Sequence, residues 1–208
     1  MRKLAALALV AAVTPAAQAA VPGFEASVTR ATRAELRFSY RPGCPAQPGE
    51  LRVIRLRHWG FDGRAHTGTL VVHASTVADV VSVFGRLYEA RFPIRRMLGV
   101  EVYRGSDDRS MAADNTSGFN CRRVRPGGPW SEHAFGRAID VNPVENPYLH
   151  GGAVEPPAGR AYLDRSSARP GMAVRSGVLV RAFDGAGWFW GGRWRSSKDY
   201  QHFSTTGR

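Results

Sequence analysis

The sequence predicts an α+β domain in which a small, mostly antiparallel sheet carries flanking helices. Short runs of β-branched and aromatic residues are separated by turn signals, which is typical of strands joined by hairpins. At least one segment has the apolar spacing of an amphipathic helix. No internal repeat or low-complexity tract divides the chain. Strands and helices together therefore favour a mixed, layered domain.

Residues 1–19 have the layout of a secretory signal peptide. A basic pair precedes the apolar run Leu4–Val13, and the small-residue triplet Ala17-Gln18-Ala19 follows. The apolar run is too short to cross a bilayer, which takes roughly 20 residues of helix, and no later segment is long enough. We therefore expect an exported protein whose mature chain starts at Ala20 and has no transmembrane segment.

The remaining chain suits one domain, which we divide into an N-terminal extension (20–50) and a main domain (51–208). Without the leader the net charge is about +10, which favours polyanions of any kind. The arginines are scattered, and no dense basic run or nucleic-acid motif is present. We therefore expect no nucleic-acid partner, and the charge serves either solubility or contact with anionic polymers outside the cell.

Cys44 and Cys121 are the two cysteines of the chain. In an oxidising compartment they most simply form one disulfide, and two free thiols are the alternative. The bond would join the N-terminal segment to the middle of the chain.

The first elements are a hairpin and a helix. The runs Leu51–Trp59 and Leu70–Val72 flank the turn signal Asp62-Gly63, which predicts two paired strands. Thr76 stands three residues before Asp79, the spacing of a capping box. A helix is predicted to start there and to end near Phe92-Pro93. Its apolar face consists of Val77, Val80, Val81, Phe84, Leu87 and Tyr88.

Later elements are shorter. Short strands are predicted at Val100–Tyr103 and Gly118–Arg122, with a polar segment between them. Arg137–Asn142 reads as a strand whose alternation turns Asp140 away from its apolar face. An irregular excursion over 143–177, a short helix around Val178–Phe183 and a last strand at Tyr200–Phe203 complete the chain. Three tryptophans at near-alternate spacing either line a groove or belong to the core: Trp188, Trp190 and Trp194.

His133, Asp140 and His202 have the chemistry of metal ligands. A catalytic zinc takes three protein ligands and leaves one position open, and two imidazoles with one carboxylate satisfy this. The other histidines are interpreted as ordinary surface or core residues: His58, His66, His73 and His150.

Asp199 is the candidate general base, since peptide hydrolysis needs a carboxylate that takes a proton from water and passes it to the leaving amine. In a regular strand Asp199 and His202 would face opposite ways. A bend or bulge near Tyr200 is therefore required.

These residues resemble a known family, the zinc D-alanyl-D-alanine carboxypeptidases and L-alanyl-D-glutamate endopeptidases. Two motifs carry the resemblance, Ser-x-His-x-x-Gly-x-Ala-x-Asp over 131–140 and Asp/Glu-x-x-His over 199–202. The likeness extends from about residue 50 to the end, including 115–122 and 187–192.

The resemblance implies a bacterial zinc peptidase acting on peptidoglycan stem peptides in the cell wall or periplasm, with the fold shared by the hedgehog signalling domain. It implies zinc ligands at His133, Asp140 and His202, with Asp199 activating a zinc-bound water. It also implies a substrate-contacting arginine, for which we choose Arg122, on a strand beside Asp140, over Arg104. Ser117 and Ser131 are the further substrate-binding candidates. Ser131 also suits a cap of the turn that presents His133. Glu132 also suits a solvated surface charge.

The resemblance leaves the cleaved bond open. Dipeptidases and carboxypeptidases of the vancomycin-resistance type usually carry Glu at the position of Asp199, whereas the endopeptidase branch usually carries Asp. A non-catalytic, zinc-containing module that binds wall peptides is the alternative function, although a structural zinc site is usually closed by a fourth ligand. We expect a monomer, with any wall attachment coming from charge.

Overall fold

The computed structural model describes residues 23–207, and the predicted leader (1–19) lies outside them. The described chain mixes small β-sheets with three α-helices and several 3-10 turns, in agreement with the predicted α+β class. Within residues 23–207, no helix is both long and apolar enough to cross a membrane.

A three-stranded antiparallel sheet occupies the N-terminal half. Its strands, in order across the sheet, are β1 (Ala26–Arg30), β2 (Leu51–Trp59) and β3 (Ala65–His73). β2 and β3 form the predicted hairpin, and Gly63 adopts the positive φ of 70° that its turn requires. β1 pairs along the edge of β2, so the predicted N-terminal extension contributes a strand to the main sheet.

Helix α1 (Val77–Glu89) forms as predicted, with Val80, Val83, Phe84, Leu87 and Tyr88 buried. The predicted capping box is wrong, because the Thr76 hydroxyl donates to the His73 carbonyl at 2.9 Å. Asp79 instead accepts a hydrogen bond from the Trp188 indole at 3.2 Å. This side chain therefore connects the helix to the C-terminal half.

Two strand predictions are wrong. Val100–Tyr103 forms a 3-10 turn, and Gly118–Arg122 lies in no strand. In the latter segment the N–H of Phe119 donates to Val71 at 2.7 Å and that of Cys121 to Ser39 at 2.8 Å. The segment pairs with two different elements, so its β propensity does not produce a ladder.

The polar segment between Tyr103 and Gly118 contains a short helix and a short strand. Helix α2 (Asp107–Ala112) begins at Ser106, whose hydroxyl accepts from the N–H of Arg109 at 3.3 Å. Two short strands, β4 (Arg96–Met97) and β5 (Asn115–Thr116), pair with each other in parallel.

Two more three-stranded antiparallel sheets make up the C-terminal half. One contains β6 (Ala138–Asp140), β11 (His202–Ser204) and β9 (Phe189–Trp190), in that order. The other contains β10 (Lys198–Asp199), β7 (Tyr148–His150) and β8 (Ala153–Glu155). The hairpin of β7 and β8 falls in the stretch predicted to be irregular. Helix α3 (Val178–Asp184) confirms the predicted short helix.

The main core lies between the first sheet, α1, α3 and the strands β6 and β11. Phe183 of α3 stacks on Phe203 of β11 with ring centroids 4.1 Å apart. Trp188 and Trp190 are 3% and 6% exposed, so the core interpretation holds for both.

Cys44 and Cys121 form the predicted disulfide, with their Cα atoms 5.8 Å apart. The bond lies in a second, smaller apolar cluster with Leu51, Phe119 and Ala134. It therefore attaches the N-terminal segment beside the turn that carries His133.

Replacing both cysteines by alanine is expected to lower the free energy of unfolding by about 2–5 kcal/mol, because the bond restricts an unfolded chain over 77 residues. Urea unfolding under non-reducing conditions measures the loss. Reduced wild type should unfold like the double variant. Equal stability of oxidised wild type and the variant would contradict the structural role.

Candidate metal centre and its cleft

The register of β6 and β11 brings Asp140 and His202 together. The two residues are directly opposite one another, and so are Ile139 and Phe203. Opposite residues share a face of the sheet. The same alternation therefore buries Ile139 and Phe203 completely and points the carboxylate and imidazole to the other side. His202 Nδ1 lies 3.1 Å from Asp140 Oδ1.

His133 comes from a 3-10 turn, Glu132–Phe135. Ser131 caps this turn, and its hydroxyl accepts from the N–H of His133 at 3.3 Å. Gly136 ends it at φ 66°, where a Cβ would lie 2.6 Å from the His73 nitrogen. Only glycine fits this position, and the carbonyl of Gly136 accepts from the His73 N–H at 2.8 Å. The turn is thereby fixed to the end of β3.

A backbone carbonyl orients the His133 ring. His133 Nδ1 donates to the carbonyl of Gly118 at 2.7 Å, so that Nε2 faces the other two groups. Nε2 lies 3.1 Å from Asp140 Oδ2 and 3.2 Å from His202 Nδ1. Fixing the second ring nitrogen in this way is what orients metal-ligating histidines in proteins.

The trio fits a single divalent ion. One donor atom from each residue lies within 4.8 Å of the others, and the closest contacts are 3.1–3.2 Å. A tetrahedral zinc with bonds of about 2.0–2.1 Å spaces its ligand atoms about 3.3 Å apart. The donor set of two imidazoles and a carboxylate suits zinc and other divalent transition ions. These side chains can therefore hold one such ion.

The charges of the cluster stabilise one another. Burial raises the pKa of Asp140, but the charge and hydrogen bond of His133 and those of His202 outweigh it and hold the pKa well below its usual range. Burial lowers the pKa of His133, and Asp140 reverses this and raises it above its ordinary value. The metal-free chain thus favours a proton between His133 and Asp140, which a metal ion would displace.

Asp199 reaches the cleft because the chain changes partner after it. Asp199 pairs with Tyr148 of β7, whereas the Gln201 carbonyl accepts from the N–H of Val141 at 3.0 Å. The interruption at residues 200–201 is the bend that the sequence required. Asp199 Oδ1 is buried and has no hydrogen-bond partner among the described residues.

The cluster opens into a cleft of about 1120 Å³. Asp107 and Met111 of α2 form one part of its lining, and Trp194 another, with its ring 5.5 Å from that of His202. Of the three tryptophans, Trp194 is the one that lines this cleft. The cleft residues Tyr148 and Glu155 carry no sequence motif, and His150, which was predicted to be an ordinary histidine, lines the cleft with them. Gly151-Gly152 is a two-residue turn signal that would have found their hairpin.

Arg122 lines the cleft, and its Nη2 lies 2.8 Å from Asp107 Oδ2. Its predicted strand beside Asp140 is wrong, since Ser117 occupies that place and exchanges two backbone hydrogen bonds with Asp140, at 2.9 and 3.0 Å. The rival Arg104 instead has its guanidinium 5.8 Å from the ring of Phe38. Ser131 lines the cleft as well.

Residues 125–205 match a family model described as D-alanyl-D-alanine carboxypeptidase. The match confirms the resemblance over this range, which contains both quoted motifs. It supports a peptidase, and the His133, Asp140 and His202 cluster is compatible with a metallopeptidase. No curated protein and no solved structure matches the chain.

His202→Ala is expected to weaken zinc binding by at least about 100-fold, because losing even a hydrogen-bond partner of a metal ligand typically costs about 10- to 100-fold. Equilibrium dialysis with metal analysis measures this. His150→Ala is the matched control, since His150 lines the same cleft and pairs with Glu155 at 3.2 Å. Equal zinc affinity of the two variants would exclude the site.

A second prediction concerns pH. Burial, followed by the Asp140 carboxylate, raises the pKa of Asp199 to about 7. Between about pH 4, the range of a free carboxyl, and pH 7 the folded metal-free chain holds a proton that the unfolded chain lacks. Its stability therefore falls as pH rises through this window, and Asp199→Asn should remove that loss.

Thermal unfolding of metal-free wild type and Asp199→Asn from pH 4 to 8 tests this. The variant should gain stability relative to wild type as pH rises. Glu89→Gln, at an exposed position on α1, controls for removal of a carboxylate. A difference in thermal stability between wild type and Asp199→Asn that stays constant with pH would contradict the burial of the Asp199 carboxyl.

Proposed function

We propose that this chain is a secreted zinc metallopeptidase that hydrolyses peptide bonds in peptidoglycan stem peptides. One observation carries the proposal: His133, Asp140 and His202 converge on one point, and Asp140, His202 and Asp199 line the adjoining cleft. The match to a peptidase family over 125–205 supports it. The fold shared with the hedgehog signalling domain belongs to the same proposal, and the small antiparallel sheets with flanking helices are compatible with it.

Zinc, when bound, polarises a carbonyl and lowers the pKa of water to near neutrality. The chain supplies the remaining chemistry. The Gly118 carbonyl orients the His133 ring and the sheet orients His202, so each ring would present a nitrogen to the ion. Asp199 takes the proton of the attacking water and delivers it to the leaving amine. Its Oδ1 can accept that proton without breaking a hydrogen bond to another described residue.

Arg122 stabilises the developing oxyanion or binds the terminal carboxylate of the substrate. Its planar guanidinium suits either role. Asp107 holds one nitrogen of the group, and the Nε atom has no hydrogen-bond partner among the described residues. Of the two serine candidates, Ser131 is the better substrate contact because it lines the cleft, whereas Ser117 pairs with the backbone of Asp140 and does not line it.

The substrate class is peptide of the bacterial cell wall, met outside the cytoplasm by a monomeric chain. Anionic wall polymers are a second partner that the net charge of about +10 of the chain without its leader would attract. Asp rather than Glu at position 199 weakens an assignment to the D-alanyl-D-alanine bond, and that bond and the L-alanyl-D-glutamate bond are the two candidates.

Asp199→Ala is expected to lower kcat by about 10²- to 10⁴-fold, because the variant has no carboxylate to move the proton. Zinc content should stay at one ion per chain, since the three ligands are unchanged. Mass spectrometry of stem-peptide products measures the rate and identifies the cleaved bond. Full activity of the variant would remove Asp199 from the mechanism.

Glu89→Ala, on the exposed face of α1, is the control and should keep wild-type activity. Incubation of the wild type with sacculi separates the peptidase from a binding module. New amino termini or released D-alanine indicate the enzyme. Co-sedimentation without products would replace the peptidase by the non-catalytic module.

A further inference from the structure

Beside the metal cluster the cleft continues into a second cavity of about 500 Å³. Four arginines line it: Arg41, Arg122, Arg123 and Arg125. The two cavities share Asp107, Asp108 and residues 122–126, so one molecule can occupy both.

The positive charge of this second cavity is not neutralised. Asp107 is already engaged by Arg122 at 2.8 Å. Within residues 23–207, the other three arginines form no ion pair with an acidic side chain, and Asp108 is the remaining carboxylate in the lining. Arg123 donates to the Gly128 carbonyl at 2.6 Å, a neutral acceptor. The cavity therefore retains a net positive charge.

Arg41 and Arg123 are also held in position. Arg123 lies over the ring of Trp130, 4.2 Å from its centroid, and the two residues form a backbone bridge. Arg41 donates to the carbonyl of Cys121. Because Cys121 is bonded to Cys44, the disulfide brings Arg41 next to Arg122. The cavity is thus formed by two remote segments that a covalent bond keeps together.

We propose that this cavity is a second anion subsite, in which Arg41, Arg123 and Arg125 bind a carboxylate of the substrate peptide away from its C-terminus. The proposal rests on the proposed peptidase function and narrows its substrate to acidic peptides. A guanidinium binds a carboxylate through two parallel N–H···O bonds, which gives direction as well as charge.

Continuity with the reaction cleft favours a peptide carboxylate over the phosphates of a wall polymer. The arginines are exposed, but Trp130 and Pro126 beside them also line the reaction cleft, so an anion bound here lies on one continuous surface with the metal cluster. In a stem peptide with lysine at the third position, the non-terminal carboxylate is that of the γ-linked D-glutamate, which we assign to the subsite.

The test uses two peptides that differ in this one group: L-Ala-γ-D-Glu-L-Lys-D-Ala-D-Ala and its D-isoglutaminyl form. Calorimetry measures their binding to the zinc-loaded, full mature chain carrying Asp199→Ala, which prevents turnover. The acidic peptide should bind about 5- to 10-fold tighter at low salt, and the difference should shrink in 0.5 M salt because the arginines are exposed.

In the same background Arg125→Gln should reduce the preference to less than twofold. Arg125 is exposed, so the substitution spares the core. Arg64→Gln, at an exposed turn position outside both cavities, is the matched control and should keep the preference. Arg41→Gln should act like Arg125→Gln, which guards against a local effect of one variant.

Equal binding of the two peptides, or a preference that survives both cavity variants, would overturn the subsite. Tight binding of short inorganic polyphosphate that Arg125→Gln abolishes, without discrimination between the peptides, would overturn it in favour of a phosphate polymer. A preference without cleavage by the wild type would keep the subsite and reject the peptidase. Cleavage by the wild type without a preference between the two peptides would keep the peptidase and reject the subsite.

Discussion

In the pairing of β6 with β11, a single register determines both a core contact and the metal cluster. His202 lies opposite Asp140, and Phe203 lies opposite Ile139. A slip by one residue would exchange the faces, placing an imidazole in the apolar core and a phenyl ring at the cleft. The stacking of Phe203 on Phe183 opposes such a slip. The cluster is therefore as well defined as the core behind it.

The elements that the sequence predicted well are those whose partners are close in the chain. The hairpin of β2 and β3 needs only the short connection over 60–64, and α1 carries an apolar face of its own. His133 and Asp140 were found because they flank Gly136 within eight residues, and His202 because it ends the separate motif over 199–202. Gly136 has a physical reason that the sequence does not display: the close approach of His73 excludes a side chain.

The remaining features depend on tertiary partners that no local pattern reveals. Gly118–Arg122 has strand-like residues, yet two of its N–H groups donate to Val71 on β3 and to Ser39 in a turn. Arg122 consequently reaches the cleft from a loop, held by Asp107. The β7–β8 hairpin is short and lies among prolines and glycines, so residues 143–177 were predicted to be irregular. Its residues Tyr148 and Glu155 were missed for that reason.

The disulfide determines under which redox conditions the cleft is fully assembled. Its two cysteines stand next to the segments that supply Arg41 and Arg122, whereas the three metal-binding side chains are fixed by hydrogen bonds and sheet pairing. In a reducing compartment the nascent chain would assemble the ion-binding centre without the tethered arginine wall. Thiol oxidation would complete this arginine-lined part of the cleft, so its assembly depends on the redox state of the surroundings.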